Sequence, residues 1–192
     1  MRDVRIVIKP SAEEEDITAF AARQGWHFVE ELGPTEQQPY QKIWTVPDHQ
    51  TSVYYIEDFI LNIRYFVVAG DQPQPVIDQI QSGLEVYSRA DVLELVETSR
   101  ELNRRVLAIH RVAGIAPHEF DQEIFDCLQR AMRDPEVDMR RAAIFATTYA
   151  HWPEFQASLE RLQASDDDPS VRELAEHVLA SQLRHDWGRD QR

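Results

Sequence analysis

The sequence predicts an α+β fold class: a small mixed-sheet domain over residues 1–87, followed by an α-helical repeat domain over residues 88–192. Three observations carry this expectation. Up to Tyr87, short stretches of period-two apolar alternation are interspersed with amphipathic helical segments, whereas from Ser88 onward apolar residues recur at helical spacing between short polar turns. The block Met139-Arg140-Arg141-Ala142-Ala143 returns 32 residues later as Val171-Arg172-Glu173-Leu174-Ala175, with an apolar residue, Arg and Ala at matching positions. A composition of 43% hydrophobic and 28% charged residues over 192 positions is that of one ordinary globular domain or two small ones.

In the first half, Val4-Arg5-Ile6-Val7-Ile8 reads as a strand ended by Lys9-Pro10. Ser11, with Glu14 three residues on, has the spacing of a capping box, and Glu13 to Asp16 sit where a helix dipole favours negative charge. That helix presents Ile17, Phe20 and Ala21 and stops at Gly25. Trp26 to Val29 begins the next strand, completing a β-α-β opening, and an exposed connection runs from Leu32 to Pro39. Tyr40 to Val46, the turn Pro47-Asp48-His49-Gln50 and the return Thr51 to Ile56 form an antiparallel hairpin. The apolar run Phe59 to Ala69 places Ile63, Tyr65 and Val67 on one strand face. Pro73-Gln74-Pro75 then introduces a second helix through Ile77 and Ile80 to Gly83, because proline is tolerated in a first helical turn. Two helices on one face of a five-strand sheet fit a split βαβ arrangement imperfectly.

From Ser88, a helix cap, the segments are helical. Val92, Leu93 and Val96 stripe the first; Leu102 to Val112 supplies the second, closed by Gly114. Phe120, Ile124, Cys127 and Leu128 stripe the third, and Asp134-Pro135 introduces the helix carrying Met139, Ala142, Ala143 and Phe145. Trp152-Pro153-Glu154-Phe155 leads into a helix with Leu159 and Leu162, and Asp166-Asp167-Asp168-Pro169 into the last.

The segment Asp134 to Leu179 resembles HEAT repeats, a helical-hairpin family related to armadillo repeats. Asp134, Pro135, Met139, Arg140 and Ala143 fit one copy, and Asp168, Pro169, Val171, Arg172 and Ala175 the next, although the turn after Pro135 is longer than that after Pro169. The resemblance implies stacked hairpins that bury a continuous core and offer a binding surface, without naming what is bound. Arg140 and Arg172 are expected to be structural, their guanidinium groups meeting turn carbonyls or Asp134 and Asp168.

Charge narrows the function classes. There are 34 acidic and 20 basic residues, net −14, and only Lys9 and Lys42 are lysines. Nucleic-acid binding of the kind seen in HEAT-like alkylpurine glycosylases needs a positive groove, which this balance disfavours. No apolar run is long enough for a membrane span, the first residues lack the apolar core of a signal peptide, and Cys127 has no disulfide partner, so a cytoplasmic protein is expected. Phosphate-loop glycine patterns are absent, the seven histidines are dispersed without metal-ligand spacing, and Glu57-Asp58 lacks a third ligand, so neither cofactor nor metal is expected.

Two candidate binding groups remain. Arg100, Arg104, Arg105 and Arg111 form either a solvated face paired with Glu97 and Glu101 or a surface for an acidic partner. Trp44, Tyr54 and Tyr65 lie on strands, where alternation assigns some rings to the core and others to a recognition face. The leading expectation is a non-enzymatic protein-binding or regulatory adaptor, a monomer or small homodimer, in the class of immunity proteins that neutralise basic toxins. The alternative is a small-ligand or chromophore-handling lyase or chaperone with an apolar cleft between the two domains, which Trp26, Tyr54, Glu57 and Tyr65 would help to line.

Overall fold

The computed structural model describes residues 3–35, 38–47 and 50–189, with side chains up to Gln182. Asp48 and His49 of the expected turn lie outside the described residues. Two compact units divide the chain, Met1–Glu94 and Leu95–Arg192.

The first unit holds β1 (Val4–Val7), α1 (Glu14–Arg23), β2 (His27–Leu32), β3 (Tyr40–Val46), β4 (Thr51–Asp58), β5 (Ile63–Ala69) and α2 (Gln74–Gly83). The strands form one sheet in the order β1-β5-β4-β3-β2. Every neighbouring pair is antiparallel, which corrects the expected mixed sheet. The β-α-β opening does run β1 and β2 in the same direction, but α1 carries the chain from one sheet edge to the other. The two strands therefore never pair, and the β2-to-β5 meander fills the space between them.

Both helices cover the same face. Ile17, Phe20 and Ala21 of α1 and Val76, Ile77 and Ile80 of α2 pack with Ile6, Trp44, Val53, Tyr55, Phe66 and Val68 in one cluster. The strand registers explain the choice: Trp44 pairs Val53, Val53 pairs Val68, and Tyr55 pairs Phe66, which pairs Ile6, so one pleat face is apolar across four strands. The α1 N-cap is Glu13, whose N–H donates to Asp16 (3.0 Å), while the Ser11 hydroxyl, expected to cap, donates to Glu85. At the other end Gly25 takes φ +73°, a left-handed turn that glycine adopts at no steric cost.

The linker after α2 closes the β1 edge: Lys9 N–H donates to the Glu85 carbonyl and Tyr87 N–H to that of Val7, both within 2.9 Å. It leads into α3 (Arg89–Thr98), where Ser88 caps as expected. The Ser88 hydroxyl accepts from Asp91 N–H and the Asp91 carboxylate accepts from Ser88 N–H, a reciprocal capping box.

The second unit is helical: α4 (Leu102–Ile115), α5 (Gln122–Ala131), α6 (Val137–Ala150), a short 3-10 turn (Pro153–Phe155), α7 (Gln156–Ser165) and α8 (Pro169–Arg189). The helices α4, α6 and α8 pack in sequence as an inner row, with α5 against α6 and α7 against α8. Small residues at Ala108, Ala113, Ala142, Ala143, Ala146 and Ala175 are buried and permit this approach. At one end Phe120, Phe125, Trp152 and Phe155 form an aromatic cluster with ring centroids 4.9–5.8 Å apart, in which Trp152 and Phe155 are stacked. Among the described residues, no helix is long and apolar enough to cross a membrane.

The α2 terminus offers a stability test. A Cβ on Gly83 would run into the fully buried Phe20 ring. Gly83→Ala, ordinarily stabilising by up to about 1 kcal/mol in a helix, is expected instead to cost about 1–3 kcal/mol by overpacking. A lowered urea midpoint in equilibrium unfolding checks this.

Candidate functional site

The repeated arginines of the inner row build a polar ladder along one end of the helical unit. Arg140 spans two turns: its Nε and Nη2 donate to the two carboxylate oxygens of Asp166 at 2.8 Å each, and its Nη1 donates to the carbonyls of Asp134 (2.9 Å) and Pro135 (3.0 Å). Arg172 repeats half of this pattern, with its Nη1 reaching the carbonyls of Asp166 and of Asp167. Arg105 supplies the other half, its guanidinium donating to the Asp134 carboxylate. The residue equivalent to Asp134 is therefore Asp166, not Asp168. Each receives an arginine from the preceding inner helix, accepts from the N–H two residues on (Glu136 or Asp168, both 3.0 Å) and lies six residues before its own arginine. Asp168 caps α8 instead, accepting from Ser170 N–H (2.8 Å) and its hydroxyl (2.6 Å). Pro135 and Pro169 stand in the turn and at the helix start, respectively, where no helical N–H is needed.

Electrostatics hold the ladder closed. Burial raises the Asp166 carboxyl, but hydrogen bonds from Arg140 and Asp168 N–H outweigh it and hold the pKa below the ordinary aspartate value. The same pair holds the Arg140 guanidinium in its charged form. Beside the rungs lies an open cleft of about 590 Å³ whose charged lining includes Arg133, Asp134, Arg140, Arg161, Asp166 and Asp167.

The four arginines expected to share a face have different environments. Arg100 is exposed between α3 and α4, Arg104 is exposed and ion-paired with Glu101 (3.2 Å), Arg105 is a ladder rung, and Arg111 is half-buried in α4. Glu97 pairs with Arg130 of α5 (2.9 Å). The three strand aromatics also separate. Trp44 is buried under the helices, Tyr54 is half-buried on the opposite sheet face, and Tyr65 is buried with its hydroxyl 3.4 Å from Asp58. Trp26 packs on Phe20 and Trp44, while the registers put Glu57 on the helix face and Tyr54 and Tyr65 on the other. These four residues do not line a common cleft within the sheet unit.

Other chemically capable groups are committed to structure. Glu14 joins α1 to β3 by accepting from the Tyr40 hydroxyl (2.8 Å) and pairing with Lys42, which also meets Glu31 at 3.6 Å. The Lys42 contact lowers the Glu14 pKa; burial and Glu14 raise that of the Tyr40 hydroxyl. Asp58 accepts from the N–H groups of Ile60 and Leu61 and so fixes the β4–β5 turn. The Cys127 thiol is buried, which pushes its pKa up to about 11 and away from nucleophilic use. Among the described residues no group of His, Cys, Asp and Glu is arranged to hold a metal.

What the sequence reading missed is the exposed apolar surface. Phe28 and Val29 on β2 are 58% and 51% exposed, Phe59 and Ile60 at the β4–β5 turn 59% and 54%, and Phe120 43%. Comparison with known protein families, curated proteins and solved structures finds no match.

Removing the central rung tests the ladder. Arg140→Ala leaves Asp166 charged and unpaired at a nearly closed site and is expected to cost about 3–5 kcal/mol; Arg140→Lys, which lacks the planar fork, recovers only part of this. Because the folded Asp166 pKa is lowered, its contribution is complete above the unfolded value and lost as pH falls through the folded one. The stability difference between the unaltered chain and Asp166→Asn is thus expected to stay level from about pH 5 to 8 and shrink below about pH 4, as read by urea unfolding.

Proposed function

We propose that this chain is a non-enzymatic protein-binding or regulatory adaptor for a basic protein, with its helical unit serving as a short HEAT-like repeat scaffold. The observation that carries this reading is the combination of exposed Phe28, Val29, Phe59, Ile60 and Phe120 with a net charge of −14. Exposed aromatic and aliphatic side chains supply the anchors of protein interfaces, and surrounding charge selects the partner and speeds encounter. An acidic chain with apolar anchors suits a partner that is basic around its own apolar patches.

The scaffold part of the proposal is supported by the inner row α4, α6 and α8 and by the Arg–Asp rungs that recur along it. Such an array is rigid at its turns, leaves a cleft between them and keeps its side chains in a fixed pattern for a partner. A cytoplasmic monomer or small homodimer suits this role, and immunity-like neutralisation of a basic toxin is one activity of the class.

Native mass spectrometry of the intact protein, purified from its own cells at moderate salt, tests the reading. The expected result is a stoichiometric complex with a basic protein that dissociates as salt is raised. A bound small organic molecule without any protein partner overturns it in favour of ligand handling.

A further inference from the structure

The sheet has two edges, and the chain treats them differently. The β1 edge is closed by residues 85–87, through the Lys9 and Tyr87 backbone bonds and the Ile8–Val86 bridge. The β2 edge ends the sheet, with β3 as its one strand neighbour among the described residues. An open edge is a row of backbone donors and acceptors ready for another strand, which proteins ordinarily cover or make hostile.

β2 does both less and more than that. Its residues His27 to Glu31 are all exposed, including Phe28, whose ring is seated edge-on against Trp44 at 6.4 Å. Glu30 is exposed and uncommitted among the described residues, and Glu31 is held by Lys42. The register shifts between Phe28 and Glu30, which pair with the adjacent Trp44 and Ile43, so Val29 is passed over in the β2–β3 ladder. Self-pairing of two β2 strands would gather four carboxylates, Glu30 and Glu31 from each copy, along one seam, and like charges across a strand pair are destabilising. A basic strand meets the opposite situation: the same two carboxylates attract it, and Phe28 and Val29 give it apolar surface.

We infer that the β2 edge takes up an extended segment of a basic partner protein by strand addition, with an apolar side chain against Phe28 and lysine or arginine beside Glu30 and Glu31. This rests on the protein-binding reading and locates it. Backbone bonds along β2 supply affinity that is indifferent to sequence, and the carboxylates and Phe28 supply selectivity.

The test is selection of a displayed library of linear twelve-residue peptides on the intact chain, followed by hydrogen exchange of the chain with the synthetic winning peptides. Enriched peptides are expected to combine basic and apolar residues, to slow exchange of the amides of residues 27–32, and to lose at least about tenfold in affinity on Glu30→Lys or Phe28→Asp. Both residues are exposed, so these variants fold; Asp138→Lys, an exposed acidic position on α6, leaves binding unchanged. Enriched peptides that protect another segment, or that bind equally well to Glu30→Lys, overturn the edge assignment while leaving the protein-binding reading standing. Absence of enrichment also overturns it, and the native complex then decides the broader reading separately.

Discussion

A guanidinium brought into a helical stack must find acceptors for its donors and a counter-charge for itself. The Arg140 side chain is 12% exposed and its partner Asp166 6%, so neither is satisfied by water. The bidentate pair and the two turn carbonyls meet that demand at once, and in doing so they fix two consecutive interhelical turns relative to the same side chain. Much of the second unit follows from this. The turns at Asp134-Pro135 and Asp166–Asp168 cannot slide along the inner row without breaking a charged hydrogen bond, so small buried residues on α4, α6 and α8 meet in one register. The outer row has its own ties between successive helices, through Gln129 to Ser158 (2.6 Å) and the Phe125–Phe155 ring contact.

The parts of this architecture legible in the sequence are those governed by local chemistry. Ser88 with Asp91, Gly25 after α1, Pro75 in the first turn of α2 and the β3–β4 hairpin all act within a few residues, and each stands where the pattern puts it. Asp166 was harder to read because Asp166-Asp167-Asp168 offers three carboxylates, and the proline after Asp168 draws the eye to the wrong one. The distinguishing signal was present: Asp134 to Arg140 and Asp166 to Arg172 are both six residues apart. Arg105 lacked such a signal, since its own turn has no matching aspartate and its partner lies 29 residues downstream.

Sheet order was illegible for a different reason. That β1 pairs with β5 is decided by which apolar pleat faces the helices after the whole meander has formed, not by any short-range motif. Phe28 pairs with the buried Trp44 and shares its pleat face, yet its position at the sheet edge leaves it exposed. The same strand alternation that separates Tyr54 from Tyr55 sets Glu57 on the sheet face opposite Tyr54 and Tyr65. Function is least legible where it depends on edges and turns, because these are products of tertiary arrangement. The proposed adaptor role therefore rests on charge and exposed apolar surface, not on a catalytic motif.

The central claim is that the rungs act as one network along the inner row. A double-mutant cycle between Asp134→Asn, which weakens the Arg105 rung, and Asp166→Asn, which weakens the Arg140 rung, tests it most directly through urea unfolding free energies. A continuous ladder predicts a coupling of about 0.5–3 kcal/mol between the two substitutions. Additivity to within about 0.3 kcal/mol would mean that each turn is held on its own, and would contradict the account.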